Sequence, residues 1–550
     1  MHTRLNIAAL LICLVLTVCP TAGHAQDAPK TAPLTDGDIV AIFEALDARP
    51  GSAAALAALM RYIDTKPDPG HVDEALLRLG RIRADEKDLD AAASALQRLL
   101  TGYPASPVKF EALLDLANVR HTQGSDADAR SLLEAVVMSD ANIRLRARSS
   151  LLLKTMDASG PGPAQALASA SLAGLTPSIG ALLPLKGSYA RYGADALKGI
   201  LLAANTFGQT GSPIEVFTAD VEQSGASAKA AVEEMAANPR VAGLVGPLIS
   251  ASALEAALAA QDKRLPIITL SQREGLLGAG DFIYRNFLTT QVQAAFLAEY
   301  ACKAMGRKAF VIIYPQNNYG IELAKHFSAE VLRQGCTVAA EASYPPGTTD
   351  FSQALRQAFD VKVKETKAGR RVIKEYTAQV QADALYMPDS YEAAALLAPY
   401  LNYYNITGVQ LLGSNAWNSP GLVEAADKRL DGAVFVDGFF ADSERPETKA
   451  FTTRFREVYG AQPGLIEAYS YDAAKIIIAM MTAPGTGVDR DALNARLRAL
   501  KNFKGATGDL SLDANGEVKR RLFILTLKNG VITETDAAQR DTDAKKTLVK

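Results

Sequence analysis

Apolar residues in the first third of the chain recur at helical spacing, and no strand-like run interrupts them up to about Ser159. Two stretches are alike. ALLRLGRIRADEKDLDAAASALQRLLTGYPAS begins at Ala75 and ALLDLANVRHTQGSDADARSLLEAVVMSDANI at Ala112, an offset of 37 residues. Each predicts a helix, a polar turn (Asp85 to Asp88, or Thr122 to Asp126) and a second helix with small residues where it packs. Stacked helix pairs bury faces that one pair cannot cover alone; a plain helical bundle is the simpler alternative. DASGPGPAQALASASLAGLTPS, from Asp157 to Ser178, is rich in Gly, Pro, Ser and Ala and reads as a linker.

From Ile179 the period changes. The short apolar runs IGALLPL, IEVFTA, VAGLVGP, PIITLS, AFVIIYP, TVAAEASY, ALYMP, VQLLGS and AVFVDGFF alternate with amphipathic helical stretches. This alternation predicts α/β architecture, with parallel sheets covered by helices on both faces. The segment is too long for one doubly wound sheet, so two lobes are expected. Ligands of open α/β sheets bind beyond the carboxyl ends of the strands, which makes the residues just after these runs the candidates for function. DVKVKETKAGRRVIKEY, from Asp360 to Tyr376, is dense in both charges and reads as an exposed helical insertion.

The amino terminus changes the chemical setting. MHTRLNIAALLICLVLTVCPTAGHAQD has a basic start, an apolar run from Leu5 to Val18 and a small-residue exit, the form of a secretory signal cleaved after Ala25. Leu16 to Cys19 also resembles a lipid-attachment signal, but Val18 stands where such signals carry a small residue; the cleaved signal is preferred. Export would leave Cys302 and Cys336 in the mature chain. An oxidising compartment permits a disulfide between them, and two buried thiols are the equal alternative.

Composition closes several routes. The 550 residues suffice for three or four domains, and the formal charge of −2 gives no basic field for nucleic acid. The opening turn LPLKGSYARYG has neither Walker spacing nor G-x-G-x-x-G. No G-x-S-x-G elbow appears. His71, His121 and His326 are far apart, and on this reading none has a second ligand at helical spacing, so neither a metal site nor a cofactor is expected.

From Ile179 to about Glu534 the segment order resembles the branched-chain amino-acid-binding family of type I periplasmic binding proteins. The matching pieces are IGALLPLKGSYARYGADALKGILLA, VAGLVGPLISASAL, LPIITLS, IYRNFLTTQVQAAFLAEYA, AFVIIYPQNNYGIELAKHF, YPPGTTDFSQAL, LLGSNAW, YSYDAAKIII and FKGATGDLSLDANGEVKR. The helical pairs resemble the tetratricopeptide repeat, with Gly80 or Ala117 as the small residue and Tyr103-Pro104 between units. The resulting organisation is a signal peptide (1–25), a helical-repeat domain (26–159), a linker (160–178), lobe I (179–287 and 438–503), lobe II (288–437 and 504–534) and a polar tail (535–550).

The resemblance implies a non-enzymatic receptor that shuts two lobes on a small polar solute, an amino acid among the candidates, for ABC-type transport through a membrane permease or for sensing. It implies that Tyr192 covers the ligand, that Ser250 and the backbone of Ser271 bind its polar ends, and that Tyr319 walls it from the second lobe. Asp389 would lie near another contact loop. Each has a structural alternative: core aromatics for the two tyrosines, a helix N-cap for Ser250, and a cap of the helix near Tyr391 for Asp389. Two positions depart from the family. Asn415 stands where an acid pairs with the ligand's ammonium, and Arg273 stands where a small hydroxyl residue is common. A secreted helical segment before this fold also resembles the penicillin-binding-protein activators, envelope scaffolds for a peptidoglycan synthase. Its repeats would then recruit a protein partner.

Overall fold

The computed structural model describes residues 36–49, 52–65, 71–157, 177–208, 214–221, 225–368, 370–426, 429–482 and 489–535. The expected signal, Cys19, nearly all of the linker and the tail beyond Thr535 lie outside them. The described residues form two compact units divided after Val119.

The helical part comprises Asp36–Ala48, Ala53–Thr65, Val72–Asp85, Leu89–Gly102, Lys109–Thr122, Asp126–Val137 and Ile143–Asp157. The pairs starting at Val72 and Lys109 repeat with the offset read in the sequence. Gly80 shows why a small residue is needed: a Cβ there would sit 2.6 Å from Leu96 Cγ, so the two helices of that pair approach too closely for any side chain. Asp88 caps the second helix by accepting from the amide of Ala91 at 3.2 Å.

The second unit holds two sheets. The first contains β1 (Ser178–Leu183), β2 (Val216–Asp220), β3 (Val241–Val245), β4 (Ile267–Thr269) and β5 (Ile283–Arg285), all parallel in the order β2-β1-β3-β4-β5. Every residue of β1 and β3 is buried, as strands covered on both faces must be. The second sheet draws on β6 (Ala309–Pro315) and β7 (Thr337–Tyr344). A separate antiparallel pair follows, β8 (Lys362–Ala368) with β9 (Arg371–Thr377). Then come β10 (Ala384–Met387), β11 (Gln410–Gly413) and β12 (Val434–Asp437). A three-stranded antiparallel sheet is made by β13 (Phe503–Gly505), β14 (Gly508–Leu512) and β15 (Val518–Lys519). Finally β16 (Phe523–Lys528) and β17 (Val531–Glu534) complete the order β17-β16-β12-β11-β10-β6-β7, the last two antiparallel to their neighbours. In β6, Phe310 and Ile312 point into one core and Val311 and Ile313 into the other, the period-two signature of a sheet buried on both sides.

Two expectations change. The charge-dense stretch is a β-hairpin, not a helix: Val363, Thr366, Val372 and Ile373 favour extended backbone, and Ala368 pairs with Arg371 across a two-residue connection. The chain also stays with lobe I beyond residue 503. Leu510, Leu512, Val518 and Leu522 join a core with Ile179, Leu183, Val245, Ile268 and Ile477, and only from Phe523 does the chain enter the second lobe's core. Ala147 of the helix Ile143–Asp157 belongs to that same lobe I core. Thr218 Oγ1 donates to the carbonyl of Lys154 at 2.8 Å, fixing this helix to β2.

Candidate ligand-binding site

On the first lobe, the loops after β3 and β4 converge. Ser250 and Ser271 bring their hydroxyl oxygens to 3.3 Å, and the amide of Arg273 approaches Ser271 Oγ at 3.3 Å. Ser250 is exposed and Ser271 fully buried. Ser250 is the first residue of the helix Ser250–Asp262 and does not cap it; its hydroxyl faces Ser271 instead. Arg273 folds back on its own lobe, donating from Nη1 to the Ser250 carbonyl at 2.9 Å. Its backbone carbonyl accepts from Arg285 Nη1 at 2.9 Å, and Arg285 is in turn paired with Glu517. Tyr192 lies in the first turn of the helix Ala190–Ala203, 47% exposed, with the Tyr189 ring 6.3 Å away.

On the second lobe, Tyr319 Oη donates to Asn415 Oδ1 at 2.7 Å. The Asn415 amide donates to Gln293 Oε1 at 2.6 Å. Tyr319 is half-buried against the lobe's core, and desolvation pushes its hydroxyl up to about 12. Asn317 holds this turn in place by accepting from the amide of Gly320 at 2.8 Å. Asp389, expected near a ligand-contact loop with a helix cap as its structural alternative, is not the cap. Ser390 caps the next helix, while Asp389 accepts from Tyr344 Oη at 2.7 Å and its carbonyl takes the indole N–H of Trp417 at 3.1 Å. It fixes loops of the second lobe to one another.

The structure therefore brings Ser250, Ser271 and Arg273 into one cluster and Tyr319 and Asn415 into another, each at the carboxyl ends of parallel strands. Gln293 and Asp437 are additional polar groups that sequence reasoning missed. Asp437 ends β12, so the rule of looking just past each strand would have found it; Gln293 sits inside a helix and carries no such signal. Burial raises the Asp437 carboxyl to about 7, against the bonds it accepts from Asn418 Nδ2 at 2.8 Å and the Gly438 amide at 2.6 Å.

Cys302 and Cys336 are neighbours, both unbonded and buried in the second lobe's core. Cys336 donates to the Arg307 carbonyl at 3.4 Å, and burial pushes the Cys302 thiol up to about 12. A cavity of about 930 Å³ lies elsewhere, lined by Phe440, Arg445 and Glu534 among others and by none of the expected ligand residues.

Residues 176–531 match the periplasmic binding protein family. The chain belongs to that family. Residues 74–106 match the tetratricopeptide repeat. This periplasmic binding protein is 23% identical over 369 residues to the Leu/Ile/Val-binding protein BraC3 of Rhizobium johnstonii, a match covering 65% of this chain and 93% of the relative. In fold it is similar to a putative branched-chain amino acid ABC transporter from Rhodospirillum rubrum, with TM-score 0.59 and 22% identity over 66% of this chain and all of the other. It is likewise similar to an ABC transporter substrate-binding protein from Sphaerobacter thermophilus, with TM-score 0.53 and 21% identity over 66% of this chain and 96% of that one. Among the described residues no helix of this binding protein is long and apolar enough to cross a membrane.

Proposed function

We propose that the chain is an exported, periplasmic solute receptor that closes its two lobes on a small polar ligand and presents it to an ABC-type permease or a sensor. One observation carries this reading: Ser250, Ser271 and Arg273 on one lobe, and Tyr319 and Asn415 on the other, gather at strand carboxyl ends. Hydroxyls, amides and an aromatic wall are what a small-molecule cleft needs, and no covalent chemistry is called for. With Asn415 Oδ1 accepting from Tyr319, the amide N–H₂ is the part of Asn415 left for a ligand. That donor, with Arg273 on the other lobe, suits a carboxylate better than an ammonium, so small carboxylic acids stand next to amino acids as candidates. A thermal-shift screen of both classes tests the receptor. A ligand that binds only the folded state raises the unfolding temperature by linkage, and a response from neither class counts against it. Turnover that vanished in Ser250→Ala would replace the receptor with an enzyme.

A second reading is a scaffold that activates a penicillin-binding protein. It is favoured by the helix Ile143–Asp157, which joins the lobe I core through Ala147 and is bonded to β2 through Thr218. The helical unit before it also has its own groove of about 550 Å³, lined by Leu46, Leu77, Arg78, Arg81 and Ile82. Absence of any stabilising solute, together with capture of a peptidoglycan synthase by the helical segment, would favour the scaffold.

A further inference from the structure

The lips of the cleft meet at three side chains that the solute reading leaves unused. Glu274 follows Arg273 in the loop after β4 on the first lobe, whereas Glu322 and His326 are four residues apart on the helix Asn318–Arg333 of the second. One potential ligand atom from each lies within 4.8 Å of the other two. The four-residue spacing places Glu322 and His326 on one helix face, although the sequence reading had found no such partner for His326. We infer that Glu274, Glu322 and His326 form a zinc site that bridges the two lobes.

Three features point to a cation of this type. First, two carboxylates from opposite lobes face each other, and the nearby ammonium of Lys325, 3.8 Å from Glu322, is 66% exposed and so offsets little of their repulsion. Second, His326 Nε2 is shut off from solvent without a hydrogen bond, its charged neighbour being a Glu322 oxygen 3.3 Å away. A buried imidazole nitrogen in that state is a ligand in need of a partner. Third, zinc bonds to nitrogen and carboxylate oxygen are roughly 2.0–2.2 Å long, which sets ligand atoms roughly 3.3 Å apart in a tetrahedron. The Nε2–Glu322 separation already meets that spacing. Glu274 is exposed on its loop and can rotate to complete the set. An imidazole with only two carboxylates disfavours calcium and magnesium, which take oxygen-rich shells. Because the site exists only when the lobes approach, zinc bound there favours the closed state over the open one.

The site needs the two lobes but not the identity of the solute, so the two ideas fail separately: zinc is titrated without solute, and solute with a chelator present. Calorimetry of the full chain with zinc chloride should give one ion per chain. Glu274→Gln and His326→Gln should each weaken binding by at least about tenfold. Glu274→Gln changes an exposed loop residue and should leave the circular dichroism and the metal-free unfolding midpoint unchanged. Small-angle scattering should show zinc compacting the wild-type chain but not Glu274→Gln. Zinc affinity unchanged in Glu274→Gln would overturn the bridge between lobes. A calcium response equal to that of zinc, or no binding of zinc at all, would overturn the site itself.

Discussion

In the first lobe β1 runs into Pro184 and the next helix opens with Tyr192-Gly193; in the second, β6 runs into Pro315 and its helix opens with Tyr319-Gly320. The glycines do the same work in both. A Cβ on Gly193 would lie 2.0 Å from the Pro184 carbonyl oxygen, and one on Gly320 would lie 2.5 Å from that of Pro315, so each helix starts in contact with the backbone that leads into it. The tyrosines then part company. Tyr192 is half exposed beside Tyr189, whereas Tyr319 is held by Asn415 and packed against its own core. The same local build gives a ready side chain on one lip and a fixed wall on the other, because β11 places a hydrogen-bond acceptor opposite Tyr319. A wall fixed in advance loses less freedom when a ligand arrives.

The largest test concerns the acid behind the fixed lip. The Asp437 carboxyl holds its proton to about pH 7 in the folded chain but releases it near 3.8 when unfolded. The contribution of this carboxyl to stability is therefore fully present below 3.8 and is lost as pH rises towards 7, about 4 kcal/mol on the conversion of pKa difference to free energy. Asp437→Asn should flatten this slope and raise stability at pH 8, read by urea unfolding at pH 5 and pH 8. An equal slope in the variant would contradict the buried acid.

Gly193→Ala and Gly320→Ala should each cost about 1–3 kcal/mol by overpacking, measured as loss of unfolding free energy. If only one of them destabilises, the two lips are not built alike. Asn415→Asp should tighten binding of zwitterionic amino acids by about tenfold, since a buried ammonium gains a charged acceptor; calorimetry showing no change for any amino acid would remove them from the candidates. The smallest effect separates the tyrosines. Tyr319→Phe should lose about 1 kcal/mol of stability with its hydrogen bond, while Tyr192→Phe should stay within about 0.5 kcal/mol, as exposed sites do.

The alternation of apolar runs was enough to read nine of the twelve strands of the two sheets; β5, β16 and β17 lie outside those runs, and the last two pair antiparallel where parallel strands were expected. Ser250, Ser271, Tyr319 and Asn415 come from the family resemblance, and each also follows such a run. The hairpin β8–β9 differs from the helix expected there because its charges mask β-branched residues on a surface that buries neither face. The return to the second lobe was placed too early because β13 to β15 are short and their apolar residues fill the first lobe's core. Glu274 could not be read as a partner of His326, since only lobe approach brings them together. The four-residue spacing of Glu322 and His326, by contrast, is plain in the sequence.

The helix Ile143–Asp157 has a practical consequence for anyone cutting this chain. A fragment starting at residue 176, where the family match begins, would strip Ala147 and Leu151 from the lobe I core and leave Thr218 without the Lys154 carbonyl. Such a truncation would bare an oily scar on the first lobe, so the smallest well-behaved fragment of this binding protein should keep the polypeptide from before Ile143.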